Sequence, residues 1–192
     1  LDRIGPDRLS PENAYTYRLL HRSLENDLAL ADFPYYNEPL SPSSGMQSQL
    51  PVLLAEYTFR TKRDVTDYLA LLDQIDDYFA SLLLYEQEKA AAGFFMPACS
   101  SEKVRKQCDT IVTTEELAQG THFLQTTFED RLSELQKQGL FTPEETASLI
   151  ETNDRLLAPV VQPAYAALSE GLHSLETSTN ADSTASETTT NT

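Results

Sequence analysis

The helical character of this chain is clearest between Thr61 and Gly93, where the sequence reads TKRDVTDYLALLDQIDDYFASLLLYEQEKAAAG. Apolar residues recur there at steps of three and four, the period of a helix with one buried face. They are Val65, Tyr68, Leu69, Leu72, Ile75, Phe79, Leu82 and Leu83. Thr61 is a suitable N-cap, so the pattern predicts one helix of roughly thirty residues, about 45 Å long. Asp73, Asp76 and Asp77 are interpreted as its solvated edge.

A second helix is predicted near the start of the chain. Ser10 is a typical N-cap, and Pro11 is typical of a first helical turn. Apolar residues follow at helical spacing: Tyr17, Leu20, Leu24, Leu28 and Ala31. The helix is expected to end near Asp32, because Pro34 disfavours helical backbone in the residue before it.

Three more helices are predicted downstream. One is capped by Ser100 or Ser101, and one runs from Thr121 to a stop at Gly139. The last begins at Thr142, where Thr-Pro-Glu-Glu forms a capping box, and continues to Leu175. Pro159 and Pro163 fall inside it and predict a kink between residues 158 and 165, because each removes a backbone hydrogen bond.

Composition agrees with an all-α fold. The 192 residues include 14 Lys and Arg, 30 Asp and Glu, and only six glycines, for a net charge of -16. So acidic a chain is poorly suited to nucleic acid, which needs clustered Lys and Arg. No apolar run reaches the eighteen residues of a membrane span. We therefore predict an antiparallel bundle of long helices, with no nucleic-acid partner and no transmembrane segment.

An irregular aromatic loop is predicted between Phe33 and Leu50, which contains three prolines and a glycine. A short helix is expected after Pro51. The aromatic residues of the loop predict that it packs against the rest of the protein. Tyr35 and Tyr36 are suited either to lining a peptide groove or to plugging the end of the bundle.

The two ends of the chain differ in character. Residues 177–192 are mostly Ser and Thr and carry too little apolar surface to fold, so a disordered tail is predicted there, after a helical domain at 1–176. The chain opens at Leu1 with no leader, which suggests a piece of a longer reading frame.

The sequence contains few residues of the types that commonly act in catalysis or metal binding. Cys99 and Cys108 match no metal or redox spacing and are interpreted as two separate thiols, with a disulfide as the alternative. His21 and Glu25 are spaced for a local helical pair. Glu170 and His173 match one Glu-x-x-His element of a di-iron bundle, which needs two copies.

Several short motifs, in order, resemble a known bacterial family. They include LHRSLENDL at 20–28, FPYY at 33–36, SGMQ at 44–47, NDRLL at 153–157 and VQPAY at 161–165. Together they span roughly residues 10–175. The family they resemble is the bacterial domain of unknown function numbered eight-eight-five, regarded as zincin-like metallopeptidases.

The resemblance implies a non-catalytic role for this chain. The family's zinc motif, a His-Glu pair followed by Pro-Gly-His, does not occur in these residues, so no catalytic or metal-binding position is assigned and no cofactor is expected here. Zinc is expected only in a downstream catalytic half of the same polypeptide, the implied partner. Residues expected to line its peptide cleft are Phe33, Tyr35, Tyr36, Met46 and Gln47. Many members are exported or are lipoproteins, which implies an extracellular or cell-envelope location.

Three hypotheses follow. The leading one is a non-catalytic N-terminal helical part of an exported zinc metallopeptidase, walling the substrate cleft. The alternative is a freestanding helical binding or scaffold module with no enzymatic activity. The third is a di-iron or other metal bundle using Glu170 and His173.

Overall fold

The computed structural model describes Leu1 and residues 3–188, with side chains described as far as Ser178. All regular structure in those residues is helical, which confirms the predicted fold class. The chain divides into two compact units, Leu1–Glu38 and Pro39–Thr192. The disordered tail predicted for 177–192 lies outside the described side chains from residue 179 and outside the described backbone from residue 189.

The first unit consists of a short 3₁₀ turn, Pro6–Arg8, and helix α1, Pro11–Leu30. The Ser10 side chain accepts a hydrogen bond from the backbone N–H of Asn13 at 3.4 Å, so the predicted N-cap is confirmed. Only Ala14 of α1 is buried.

The second unit contains the remaining described helices. They are α2 (Met46–Ala55), α3 (Lys62–Leu72), α4 (Ile75–Ala91), α5 (Ala98–Ile111), α6 (Thr114–Gln119), α7 (Phe123–Lys137), α8 (Pro143–Leu156), a π-helix (Leu157–Val161) and α9 (Gln162–Thr188). Helix α9 packs against α4 and α5, and α7 packs against α8. A Cβ at Gly171 would lie 2.4 Å from the Leu83 side chain, which shows how closely α9 approaches α4.

The core of this unit is built on aromatic side chains. Tyr68 on α3 stacks on Phe128 on α7 with ring centroids 5.4 Å apart, and Phe59 meets Phe128 edge-on at 5.5 Å. Tyr68 and Phe128 are both fully buried. Such offset and edge-to-face pairs add to the free energy that burial itself contributes.

The prediction of a single long helix from Thr61 to Gly93 is wrong, because α3 ends at Leu72 and α4 begins at Ile75. Leu72 and Ile75 are both buried and three residues apart, so the apolar rhythm is the same whether the helix continues or breaks. Periodicity alone therefore missed the break at Asp73 and Gln74.

Other boundaries also differ from the prediction. Helix α2 begins at Met46 rather than after Pro51, which shortens the loop, and α6 was not predicted. Helix α5 begins after Pro97 rather than at Ser100 or Ser101. Helix α7 begins one residue after His122, whose Nδ1 accepts a hydrogen bond from the N–H of Leu124.

Where a kink was predicted, between residues 158 and 165, a π-helix containing Pro159 separates α8 from α9. The capping box at Thr142 and Glu145 is confirmed, with both reciprocal hydrogen bonds present. No helix in the described part of the chain has the length and apolarity that crossing a bilayer demands.

Candidate functional site

The candidate site is an apolar groove of about 500 Å³ in the second unit, here called the α2 groove. One side is a stripe on α2 at four-residue spacing, Met46, Leu50 and Leu54, and the opposite side comes from α3 and α4. The lining residues of that opposite side are Leu71, Gln74, Ile75, Asp77 and Tyr78. Leu54 and Ile75 are buried and form its floor.

The N-terminal end of α2 is fixed by a tight approach of the chain to itself. A Cβ on Gly45 would lie 2.0 Å from Oε1 of Gln47 and 2.3 Å from the backbone N of Ser41, so only glycine fits there. The Gln47 amide donates to the carbonyl of Ser41 at 2.7 Å and to Oε1 of Gln107 at 2.8 Å. Gln107 in turn donates to the carbonyl of Pro42 at 2.9 Å. These bonds hold the loop before α2 against α5.

The middle of α2 contains a proline whose cost is offset by a distant tyrosine. Pro51 has no N–H, so the carbonyl of Gln47, four residues earlier, loses its helical partner. The Tyr165 hydroxyl on α9 donates to that carbonyl at 2.9 Å. Burial raises the pKa of Tyr165, which keeps its hydroxyl protonated and able to donate. Helix α2 therefore starts earlier than its proline suggests.

The C-terminal end of α2 is held by Arg131 of α7. Its guanidinium donates to the carbonyls of Leu54 and Tyr57, and it lies over the rings of Phe59 and Tyr68 at 4.4 and 5.1 Å. Burial lowers the pKa of Arg131, but arginine remains charged at any physiological pH. Both ends of the wall that α2 contributes are thus tied to the core.

The five residues predicted to line a cleft fall in different units. Met46 lines the α2 groove, and Gln47 beside it is fully buried and holds the preceding loop. Phe33, Tyr35 and Tyr36 belong to the first unit. Phe33 and Tyr36 are 63% and 73% exposed, so the expectation that the aromatic loop packs down is wrong for these two rings.

The groove residues beyond Met46 were missed in the sequence. Leu50, Leu54 and Leu71 were apolar positions in predicted helices or loops, and nothing local distinguished them from core. The signal that could have found Leu50 and Leu54 is their four-residue spacing from Met46, which the proline between them obscured.

Cys99 and Cys108 are both free, which confirms the interpretation as separate thiols. Burial, with a smaller contribution from Asp109, raises the pKa of the Cys108 thiol to about 12. Because the thiolate is the reactive form, this raised pKa and the burial of the side chain both disfavour reaction at Cys108.

The predicted local pair of His21 and Glu25 is confirmed, with Nδ1 and Oε2 3.4 Å apart. Glu170 and His173 are both exposed on α9. Among the described residues, no group of three or more His, Cys, Asp or Glu side chains is placed to hold a metal ion.

These features define an all-α helical bundle with an apolar surface groove. Residues 1–189 match the family described as bacterial protein of unknown function, DUF885, and the chain belongs to that family. The resemblance seen in its motifs is therefore confirmed.

Among solved structures, the chain is similar to the crystal structure of the "putative lipoprotein" from Colwellia psychrerythraea. The two share 20% identity and a TM-score of 0.64 over 71% of this chain, which shows a common fold. The chain spans 23% of the length of that solved chain. No protein with a curated description matches it.

Proposed function

We propose that this chain is the non-catalytic helical part of an exported zinc metallopeptidase and forms one wall of its peptide cleft. Zinc and the catalytic groups would come from another half of the same polypeptide. The proposal is supported by membership of the family and by a solved chain with the same fold that is more than four times longer than the part matched here.

The observation that carries this proposal is the exposed apolar stripe of α1. Leu20, Leu24 and Leu28 are 48%, 43% and 74% exposed. Burying a leucine side chain contributes about 1.5–3 kcal/mol, so a helix with this stripe gains several kcal/mol from a matching surface. We assign that surface to the catalytic half.

The α2 groove is the proposed contribution to the cleft. It is apolar, it is open, and it includes Met46 from the motif that resembles the family. Its walls are tied to the core by Tyr165 and Arg131, which suits a binding surface that must keep its shape. Phe33, Tyr35 and Tyr36 lie in the first unit, and their role in lining the cleft stays a prediction.

An exported, cell-envelope location is part of the proposal. It is supported by the description of the solved neighbour as a lipoprotein and by the location that the family resemblance implies.

The test is to purify the chain alone and measure its zinc content, its peptidase activity and its association state. The proposal expects no stoichiometric zinc, no hydrolysis, and concentration-dependent self-association with binding of a hydrophobic dye, because the stripe on α1 lacks its cover. One equivalent of tightly bound zinc would contradict it.

The alternative, a freestanding helical binding module, is favoured by the compact aromatic core of the second unit. It expects a monodisperse chain that melts cooperatively and binds no dye. Sedimentation velocity across a concentration series, with the dye titration, separates the two proposals.

A further inference from the structure

The α2 groove has an uneven distribution of charge around it. Helix α2 contributes no charged residue between Met46 and Ala55. The chain from 64 to 88, which forms the other side, contains no Lys, Arg or His at all. Of its exposed aspartates, Asp77 lines the groove, Asp73 directly precedes the lining residue Gln74, and Asp76 lines a separate pocket with residues of α9.

These carboxylates are only partly explained by helix stability. Asp76 and Asp77 lie in the first turn of α4, where the positive end of the helix dipole favours an acid. Asp73 is the C-cap of α3, where the negative end of the dipole disfavours one. Nothing cationic within the 64–88 stretch compensates it.

The rim of the groove is also apolar and accessible. Leu71 is 47% exposed and Tyr78 is 37% exposed, on either side of the break between α3 and α4. An occupant would therefore cover two large apolar side chains and gain attraction from the carboxylates of Asp73 and Asp77. A hydrophobic segment with acidic residues is disfavoured by the same charges.

We propose that the α2 groove binds a cationic, apolar peptide segment, with leucine-like side chains in the groove and Lys or Arg side chains over Asp73 and Asp77. This inference rests on the proposed function, since it names the substrate class of the same cleft. Charge complementarity selects the occupant, and the contact area comes from the partly exposed apolar side chains of the lining, which are Met46, Leu50, Leu71 and Tyr78.

The probe is a fluorescein-labelled peptide of about ten residues, rich in Leu and Lys, titrated with the full chain and followed by anisotropy. Two matched peptides replace every Lys by Glu or every Leu by Ser. We expect saturable binding of the first peptide, and affinities weaker by about tenfold or more for the other two. Equal binding of the Ser peptide would overturn the proposal, because the groove would then contribute nothing.

Paired variants separate the groove from the overall negative charge. Asp73→Asn with Asp77→Asn should weaken binding by about tenfold, while Glu151→Gln, an exposed acid on α8, should change it less than twofold. Leu71→Ser, which removes apolar surface without adding charge, should weaken binding, and Leu84→Ser, a similarly exposed leucine of α4 outside the groove, should not. Circular dichroism checks that each variant is folded. If Glu151→Gln weakens binding as much as the double variant, the proposal is contradicted.

This assay needs neither zinc nor a catalytic half. Peptide binding by a chain whose reading frame lacks a peptidase half would leave the groove proposal standing and overturn the proposed function. A peptidase half without preference for the cationic peptide would do the reverse.

Discussion

Helices α1 and α3 have similar sequence patterns and very different environments. Both begin at a Ser or Thr N-cap, and both repeat apolar residues at three- and four-residue steps. Yet α3 buries four of its eleven residues, whereas α1 buries one of its twenty. The apolar face of α3 meets the aromatic core, whereas the first unit by itself leaves the stripe of α1 uncovered.

The difference shows that helical periodicity reports an apolar face and not what covers it. Because most helical stability in proteins comes from packing of the apolar face, α1 and α3 should respond differently to equivalent changes. The predictions below test that difference, from the largest expected effect to the smallest.

Truncating one large apolar side chain in the core that α3 contacts, and one on α1, should give the largest difference in stability. Phe128→Ala, in the ring cluster that α3 meets, should lower the free energy of unfolding by about 3–5 kcal/mol, because it leaves a cavity in a fully buried site. Leu24→Ala on α1 should change it by less than about 0.5 kcal/mol. Urea denaturation measures both, and equal losses would mean that α1 is packed as firmly as the core.

The hydrogen bond from Tyr165 to the carbonyl of Gln47 should contribute the next largest effect. Tyr165→Phe leaves that buried carbonyl unsatisfied and should cost about 1–3 kcal/mol of unfolding free energy. Pro51→Ala restores an N–H that can pair with the same carbonyl, so it should recover much of the loss in the double variant. A double-mutant cycle in urea measures the coupling, and strict additivity would contradict the account.

The two N-caps offer a matched pair of smaller changes. Thr61→Ala removes the cap of α3 and should lower the global free energy of unfolding by about 1 kcal/mol. Ser10→Ala removes the cap of α1, which buries only Ala14, and should leave the global value nearly unchanged while amide hydrogen exchange in α1 speeds up. If both variants shift the urea midpoint equally, the comparison fails.

The acid limb of the stability curve should carry the smallest effect. The backbone N–H groups of Arg60 and Thr61 each donate to the Asp64 carboxylate at 2.8 Å, and these bonds lower its pKa below the ordinary value of 3.8. A lowered carboxyl pKa contributes stability that is present above the unfolded-state pKa and lost as the pH falls through the folded one. Asp64→Asn should therefore reduce the loss of unfolding free energy that occurs when the pH falls from neutral to below 3.8. Urea melts across that range, with Asp67→Asn as control, measure it.

Features coded by local residues were predictable from the sequence. The caps at Ser10, Thr61 and Thr142 and the stop at Gly139 depend on short-range chemistry and are where they were expected. The interruption of regular α-helix at Pro159 falls where the missing N–H predicted an irregularity.

Features that depend on distant partners were not predictable. The early start of α2 depends on a hydroxyl from Tyr165, more than one hundred residues away, which satisfies the carbonyl that Pro51 leaves open. The break between α3 and α4 conserves the three-residue step and leaves no trace in the apolar pattern. The α2 groove is lined by residues of α2 and by residues around the break between α3 and α4. Only Met46 of its lining was therefore expected.

The central claim is that the stripe of α1 and the α2 groove belong to a larger peptidase. Sequencing the reading frame on both sides of residues 1–192 tests it most directly. The account predicts that the frame continues past Thr192 into a His-Glu pair followed by Pro-Gly-His. A frame that ends near Thr192 would contradict it and leave a helical binding module in its place.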